Sequence, residues 1–147
     1  MNGSVGADFG VEYTSYHGSP AGFPDMDYWE YHGGLNTTVG PVDLAADVSY
    51  APDFFGTSSE AITYEGRAGV EVLNNFTVSG TLGQTNLDSL AAPFDSWVYY
   101  DVALGTEVAG FDVSIAYVGN DMNTVGLPTF ARESIDDGVV LRVSRTF

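Results

Sequence analysis

The chain has 147 residues, with twenty aspartates and glutamates, four arginines and no lysine, so its formal net charge is −16. This acidity argues against a nucleic-acid partner, which needs a basic patch, and the absence of cysteine excludes disulfides and thiolate metal sites. The length fits a single domain over residues 1–147, and no run of eighteen apolar residues is present to form a membrane-spanning helix.

Alternation of apolar and polar residues with a period of two runs through the chain. Residues 28–50 give the clearest example, in which two alternating runs meet at Gly40-Pro41. This period predicts β-strands with one apolar and one polar face, since a helix would distribute the carboxylates around its circumference. In chain order, the predicted strands cover residues 5–13, 28–39, 42–50, 62–72, 76–83, 97–108, 111–118 and 139–147.

The connections between the predicted strands alternate in length. Tight turns are predicted at Gly40-Pro41, Asn74-Asn75 and Ala109-Gly110, since glycine and asparagine tolerate a left-handed backbone. Antiparallel strands then place all the tight turns at one end of the sheet and all the long loops at the other. The long loops are predicted at residues 17–27, 51–60, 84–96 and 119–137.

Aromatic residues on the apolar faces also sort by end. Tyrosine and tryptophan lie beside the long loops, phenylalanine lies beside the tight turns, and Val, Leu, Ile and Ala fill the band between. Two aromatic belts around an apolar band are typical of a membrane-crossing barrel, so we predict an all-β, antiparallel, up-and-down transmembrane β-barrel of eight strands. The predicted membrane-interface aromatics are Tyr13, Trp29, Tyr31, Tyr50, Tyr64, Tyr100 and Tyr117 at one end, and Phe76, Phe111 and Phe147 at the other.

A soluble β-sandwich or lipocalin-like barrel, with the apolar faces turned inward, is the alternative architecture. Its exterior would normally carry many lysines and arginines, whereas the polar faces here hold carboxylates and small residues. Glycine, alanine, serine and threonine suit the narrow interior of a small barrel. The composition of the polar faces therefore favours the membrane barrel.

The polar faces carry ten acidic residues together with His32, Arg67 and Arg142. Ten ionised carboxylates cannot be buried dry and unpaired, because each would cost several kcal/mol. One interpretation is a cation-favouring aqueous lumen, and the other is a lumen plugged by the two arginines and their acidic partners. The predicted lumen-lining acids are Asp8, Glu12, Glu30, Asp43, Asp47, Glu65, Glu71, Asp101, Glu107 and Asp112.

Three segments, YWEYHGGL, VSYAPDFFG and ITYEGRAGVEV, resemble the TorF-type porins of the proteobacterial outer membrane. The resemblance extends over most of the chain, but members of that family are longer and begin with a Tyr-Arg-Arg-Gly-type motif that has no counterpart here. The chain therefore corresponds to the C-terminal eight-strand portion of such a barrel or to a short relative. The resemblance implies a Gram-negative outer-membrane location and a passive, porin-like transport role, with no catalytic residues.

The last predicted strand has the pattern by which the barrel-assembly machinery recognises outer-membrane proteins. Val139, Leu141, Val143 and Phe147 alternate on its apolar face, and the chain ends on the aromatic residue. Arg145 departs from the pattern, but so close to the strand end it can extend its charge to the interface. The expected partners are therefore outer-membrane lipid and the assembly machinery.

The long loops carry most of the remaining carboxylates. Carboxylates and backbone carbonyls suit Ca²⁺ or Mg²⁺, which could bridge the loops to anionic headgroups. No segment has the spacing of a known calcium loop, so loop-bound divalent cations and a solvated acidic rim both stay open. We expect no resident metal or other cofactor. The loop acids include Asp25, Asp27, Asp53, Glu60, Asp88, Asp95, Asp121, Glu133, Asp136 and Asp137.

A lipid-acting barrel enzyme and an adhesive or structural barrel are the other functional alternatives. His17 lies near Ser15, Ser19 and two aspartates in the first long loop, but composition alone does not establish the hydrogen-bond geometry of a catalytic triad. We therefore assign no catalytic residue and predict that the protein is not an enzyme. A plugged barrel that presents its acidic loops to a partner is the stronger rival to the channel.

Overall fold

The computed structural model describes residues 4–15, 27–54, 59–73, 75–88, 96–122 and 136–145. These residues form one antiparallel sheet in which each strand pairs with its neighbours in sequence, and they include no α-helix. The predicted all-β class and the up-and-down order of eight strands are confirmed. The strands are β1 (Val5–Thr14), β2 (Tyr28–Val39), β3 (Val42–Ala51), β4 (Glu60–Leu73), β5 (Phe76–Asp88), β6 (Ser96–Val108), β7 (Phe111–Asn120) and β8 (Gly138–Ser144).

Two predicted strand boundaries differ from the observed ones by three or more residues. The loop predicted to begin at residue 84 begins later, because β5 continues to Asp88 and pairs with β4 down to Glu60. The apolar alternation stops at Gln84, whereas the backbone hydrogen bonds between the strands continue past it. At the other end of the chain, β8 ends at Ser144, and the predicted terminal aromatic Phe147 lies outside the described residues.

The two faces of the sheet differ in exposure as well as in polarity. On the apolar face, Leu44, Val102 and Ile115 expose 41%, 58% and 52% of their surface. Among the described residues, the buried ones other than glycine are small and lie on the opposite, polar face. The apolar face is therefore the more exposed face of the sheet, and the acidic side chains lie on the more enclosed face. These buried residues are Ala51, Ala61, Thr85, Ala103 and Ala116.

The first and last strands form the two edges of this sheet. In the described residues β1 pairs with β2 and β8 pairs with β7, and no ladder joins β1 to β8. Within the described ranges, the outer edges of β1 and β8 therefore have no strand partner, whereas natural sheets normally pair or cover such edges.

Tight turns connect the strands at one end of the sheet, as predicted. Gly40 and Gly110 have φ angles of 63° and 77°, in the left-handed region that glycine adopts without steric cost. Asn75 has a φ of 83°, and its predicted turn partner Asn74 lies outside the described residues. Ala109 also has a positive φ, of 53°, although its Cβ makes that conformation unfavourable.

The strain at Ala109 leads to a stability prediction. The substitution Ala109→Gly is expected to raise the free energy of unfolding by about 1 kcal/mol, because glycine removes the left-handed penalty. Ala103→Gly, within the neighbouring strand, is the control and is expected to lower it by roughly 0.5–1 kcal/mol. Urea unfolding followed by tryptophan fluorescence measures both changes. Equal destabilisation by the two substitutions would contradict the assigned backbone strain.

Candidate functional site

A single row of paired residues crosses the polar face of six strands. The row contains two aspartates, a glutamate and a tyrosine as well as two glycines, so charged groups from different strands lie at the same level. The cross-strand register that builds the row brings together residues distant in sequence. We call these residues the transverse row: Asp8, Gly34, Asp47, Glu65, Gly83 and Tyr99.

The two glycines of the transverse row provide space for their neighbours. A Cβ atom at Gly34 would collide with the carboxylates of Asp8 and Asp47, which lean over the glycine from the strands on either side. A Cβ atom at Gly83 would collide in the same way with the phenol ring of Tyr99. Both glycines therefore let polar side chains lie along the sheet instead of projecting straight away from it.

The same packing occurs twice more on the first two strands. The imidazole of His32 lies over Gly10, and the amide of Asn36 lies over Gly6. In both cases the residue directly opposite the polar side chain is the glycine that it covers. Each of these glycines alternates with apolar residues in the sequence, which indicated that it lies on the polar face. Only the strand register shows which side chain lies over it.

Arg67 connects two members of the transverse row. Its Nη2 donates to Oδ2 of Asp47 at 2.5 Å, and its Nε lies 3.2 Å from Oε1 of Glu65. The hydroxyl of Tyr99 donates to the other oxygen of Glu65 at 2.6 Å. The arginine side chain is half exposed, at 51%, whereas those of Asp47 and Glu65 are 20% and 25% exposed. The guanidinium is therefore held on one side by protein and open to water on the other.

Three of the cavities formed by the described residues follow one another along the polar face. The first, of about 310 Å³, lies towards the long loops and is lined by Glu30, His32 and Tyr99 among others. The central cavity, of about 530 Å³, includes Asp101 in its lining. The third, of about 590 Å³, lies beside the tight turns and includes Glu107.

The two arginines of the polar face lie where consecutive cavities meet. Arg67 lines both the first and the central cavity, together with Asp8 and Asp47. Arg142, on β8, lines both the central and the third cavity. The three cavities are thus neighbours along one polar surface, and each junction between them carries an arginine.

The structure brings nearly all the predicted lumen residues into this chain of cavities. Glu12 is the exception: it lies on the polar face opposite Glu30 but lines none of the three cavities. The first cavity contains Asp8, Glu30, His32, Asp47, Glu65 and Arg67, the central one adds Asp43, Asp101 and Arg142, and the third adds Glu71, Glu107 and Asp112.

Tyrosines of the predicted long-loop belt hydrogen-bond to carboxylates at the bases of the loops. Tyr13 donates to Asp27 at 2.7 Å, and Tyr117 donates to Asp137 at 2.8 Å. A corresponding side-chain hydrogen bond joins Tyr50 to Glu60. In each case the acid stands at, or one residue before, the start of the strand that returns from the loop. Sequence reasoning placed these tyrosines at the loop end but did not identify their acidic partners.

The remaining aromatics predicted for the membrane interface lie near the strand ends on the apolar face of the sheet. Trp29, Tyr31, Tyr64 and Tyr100 are exposed beside the long loops, and the ring centroids of Tyr13 and Trp29 are 4.8 Å apart. At the opposite end Phe76 and Phe111 are exposed, and Arg145 lies over the ring of Phe111 at 5.0 Å. The apolar face thus carries aromatic residues at both ends.

Some residues considered for a catalytic or metal-binding site are not among the described residues. His17, Ser19 and Asp25 of the first loop lie outside them. The loop acids Asp95 and Glu133 lie outside them as well. Within the described ranges, no group of three or more histidines and carboxylates is arranged to hold a metal ion. No helix of the described residues has the length and hydropathy needed to cross a membrane.

The described residues define a class of protein: a single antiparallel sheet with an exposed apolar face and an acidic face lining cavities. A family model described as a bacterial protein of unknown function (Gcw_chp) matches residues 1–147, so the chain belongs to that family. No curated protein and no solved structure matches the chain. The family description carries no function, and the resemblance to TorF-type porins stays a prediction.

The carboxylate of Asp137 allows a prediction about pH. Hydrogen bonds from the Tyr117 hydroxyl and the Asn120 backbone amide hold its pKa below the ordinary value of 3.8. A pKa lowered by folding means that the ionised group stabilises the fold above its ordinary pKa, and that this stabilisation is lost as pH falls through the lowered pKa.

Asp137→Asn is therefore expected to lower the unfolding midpoint near neutral pH, and the difference from the wild type should disappear in strong acid. Asp136→Asn removes the same charge one residue earlier and is the matched control. Thermal or urea unfolding across the acid range measures both variants. A loss for Asp137→Asn that is independent of pH, or equal to that of the control, would contradict the assigned hydrogen bonds.

Proposed function

We propose that this chain is a bacterial outer-membrane β-barrel whose acidic, water-filled lumen passes small cations without any chemical step. The observation that carries the proposal is the division of the sheet into two faces. Exposed valine, leucine and isoleucine occupy one face, and the predicted lumen acids line a succession of cavities on the other. Hydrocarbon suits the first face, and hydrated cations suit the second.

Closure of the sheet into a barrel is supported by the central cavity. Asp8 on the first strand and Arg142 on the last strand both line it. In a flat sheet seven spacings between eight strands would hold these edges roughly 34 Å apart, too far for one such cavity. Pairing of β1 with β8 would complete the curl and would satisfy the backbone groups of both edges.

Insertion into a bilayer is supported by the exposed apolar face. Monomeric soluble proteins rarely expose contiguous apolar patches larger than a few hundred Å². Here the outward residues of all eight strands are apolar for most of their length, and aromatic residues flank them at both ends. The alternation of Val139, Leu141 and Val143 on β8 also suits recognition by the barrel-assembly machinery.

Passage of ions is supported by the way the inward side chains pack. Where His32, Asn36 and Tyr99 lie over glycines, they leave the centre of the lumen less obstructed than side chains that project inward. The carboxylates lining the cavities outnumber the two inward arginines, which favours cations over anions. The resemblance to TorF-type porins agrees with this function.

A plugged barrel with a structural or adhesive role is the second candidate. The ion pairs of Arg67 with Asp47 and Glu65 favour it, because such a network can hold side chains together in a narrow lumen. Eight strands also enclose a space that side chains can nearly fill. In this candidate the acidic loops, not the lumen, would contact the partner.

Conductance in planar lipid bilayers distinguishes the two candidates. The channel predicts discrete, cation-selective current steps from purified protein that shifts its gel migration on boiling, as folded barrels do. A protein that shows this shift but leaves the bilayer silent would favour the plugged barrel. A protein that neither shifts nor inserts into lipid would contradict both.

Two arginine substitutions on the apolar face of β6 test whether this face lies in a bilayer. Val102 lies at the middle of the strand and Val108 at its tight-turn end, and their exposures of 58% and 56% are nearly equal. In a bilayer, Val102→Arg is expected to lower the free energy of unfolding by about 2–4 kcal/mol and Val108→Arg by about 0–1 kcal/mol. Unfolding from lipid vesicles measures both values. Equal effects would indicate that this face lies in water.

A further inference from the structure

An ion that moves along the polar face would come close to the fixed positive charge of Arg67 in a confined space. It lines the first cavity, which at about 310 Å³ is the smallest of the three, and the central cavity beyond it. Arg142 instead lies between the two larger cavities. An ion moving from the long-loop end into the central cavity would therefore pass Arg67.

The position of the Arg67 charge is determined by contacts from several strands. Asp47 on β3 and Glu65 on β4 bind two different nitrogens of its guanidinium. Glu65 is in turn bound by the hydroxyl of Tyr99, whose ring lies over Gly83. A guanidinium stays charged at every relevant pH and its planar fork loses little freedom when it is bound in this way.

The charges at this level of the lumen do not cancel. Asp8, which lines the same two cavities, also interacts favourably with Arg67, so three carboxylates, with Asp47 and Glu65, face one guanidinium. Because the arginine side chain is half exposed, its positive charge acts on ions in the cavities and not only on its partners. The arginine thus reduces the preference for cations that the carboxylates create.

We propose that Arg67, held by Asp47 and Glu65, limits the cation preference that the carboxylates give to the lumen. This inference rests on the proposed channel function. It requires that changes at Arg67 and at its partners shift selectivity in opposite directions, because one removes a positive charge and the other removes a negative charge. A purely structural role for the ion pair would not produce opposite signs.

The test is the reversal potential of single channels in a KCl gradient. Arg67→Gln is expected to raise the K⁺/Cl⁻ permeability ratio by about twofold to fivefold, since a full unit charge about 4 Å from an ion in water corresponds to roughly a fivefold change in occupancy. Asp47→Asn is expected to lower the ratio by a similar factor. Arg145→Gln is the matched control, because Arg145 lies over Phe111 on the opposite face, and it should leave the ratio unchanged.

The outcomes separate this inference from the function on which it rests. A silent bilayer with wild-type protein that is folded on the gel overturns the channel and the inference together. A conducting wild type whose selectivity is the same in Arg67→Gln and Arg145→Gln overturns the inference alone. A larger conductance in Arg67→Gln at unchanged selectivity also overturns it, because the side chain would then act only by its volume. Should Arg67→Gln not fold, Arg67→Met also removes the positive charge and carries the same test, and a ratio unchanged from the wild type overturns the inference.

Discussion

The strict alternation of side chains on an antiparallel sheet is the constraint on which the rest of this structure depends. Since successive residues of a strand point to opposite faces, the period-two pattern sends apolar side chains such as Leu44, Val102 and Ile115 to one face and the carboxylates to the other. No second layer of described residues covers the apolar face. The proposed membrane location and the proposed lumen are therefore two consequences of one pattern: the face that prefers hydrocarbon turns outward, and the face that prefers water and ions turns inward.

The arrangement within the polar face depends on register. Pairing of Asp47 with Glu65 brings two acids side by side, and Arg67, two residues further along β4, lies within reach of both. Register also places Gly34 and Gly83 beneath the side chains of neighbouring strands. A shift of one residue in any strand pair would turn its polar series to the outside and separate these groups. Packing of the transverse row and correct strand pairing therefore support each other.

The strands and their faces could be predicted from the sequence because they are local properties of the chain. Period two identifies each strand, and residues such as Gly40 and Gly110 mark the turns. The contacts of the site could not be predicted in this way, since alternation contains no information about which residues face each other across a ladder. The partnership of Tyr117 with Asp137, or of Tyr99 with Glu65, requires the register. The extension of β5 to Asp88 was missed because backbone pairing continues where the apolar alternation ends.

In the proposed barrel, the apolar face meets lipid while the acidic face meets water. The chain has no cysteine, so single-cysteine spin labels can be placed along β6 without removing a native thiol. In lipid vesicles, labels at Tyr100, Val102 and Leu104 are expected to be relaxed by oxygen dissolved in the bilayer. Labels at Tyr99, Asp101 and Gly105 are expected to be relaxed by a water-soluble nickel chelate. Relaxation by oxygen at the even-numbered positions and by the nickel chelate at the odd-numbered positions would support the proposed orientation of the two faces. A profile with the opposite phase, or with no alternation, would contradict it.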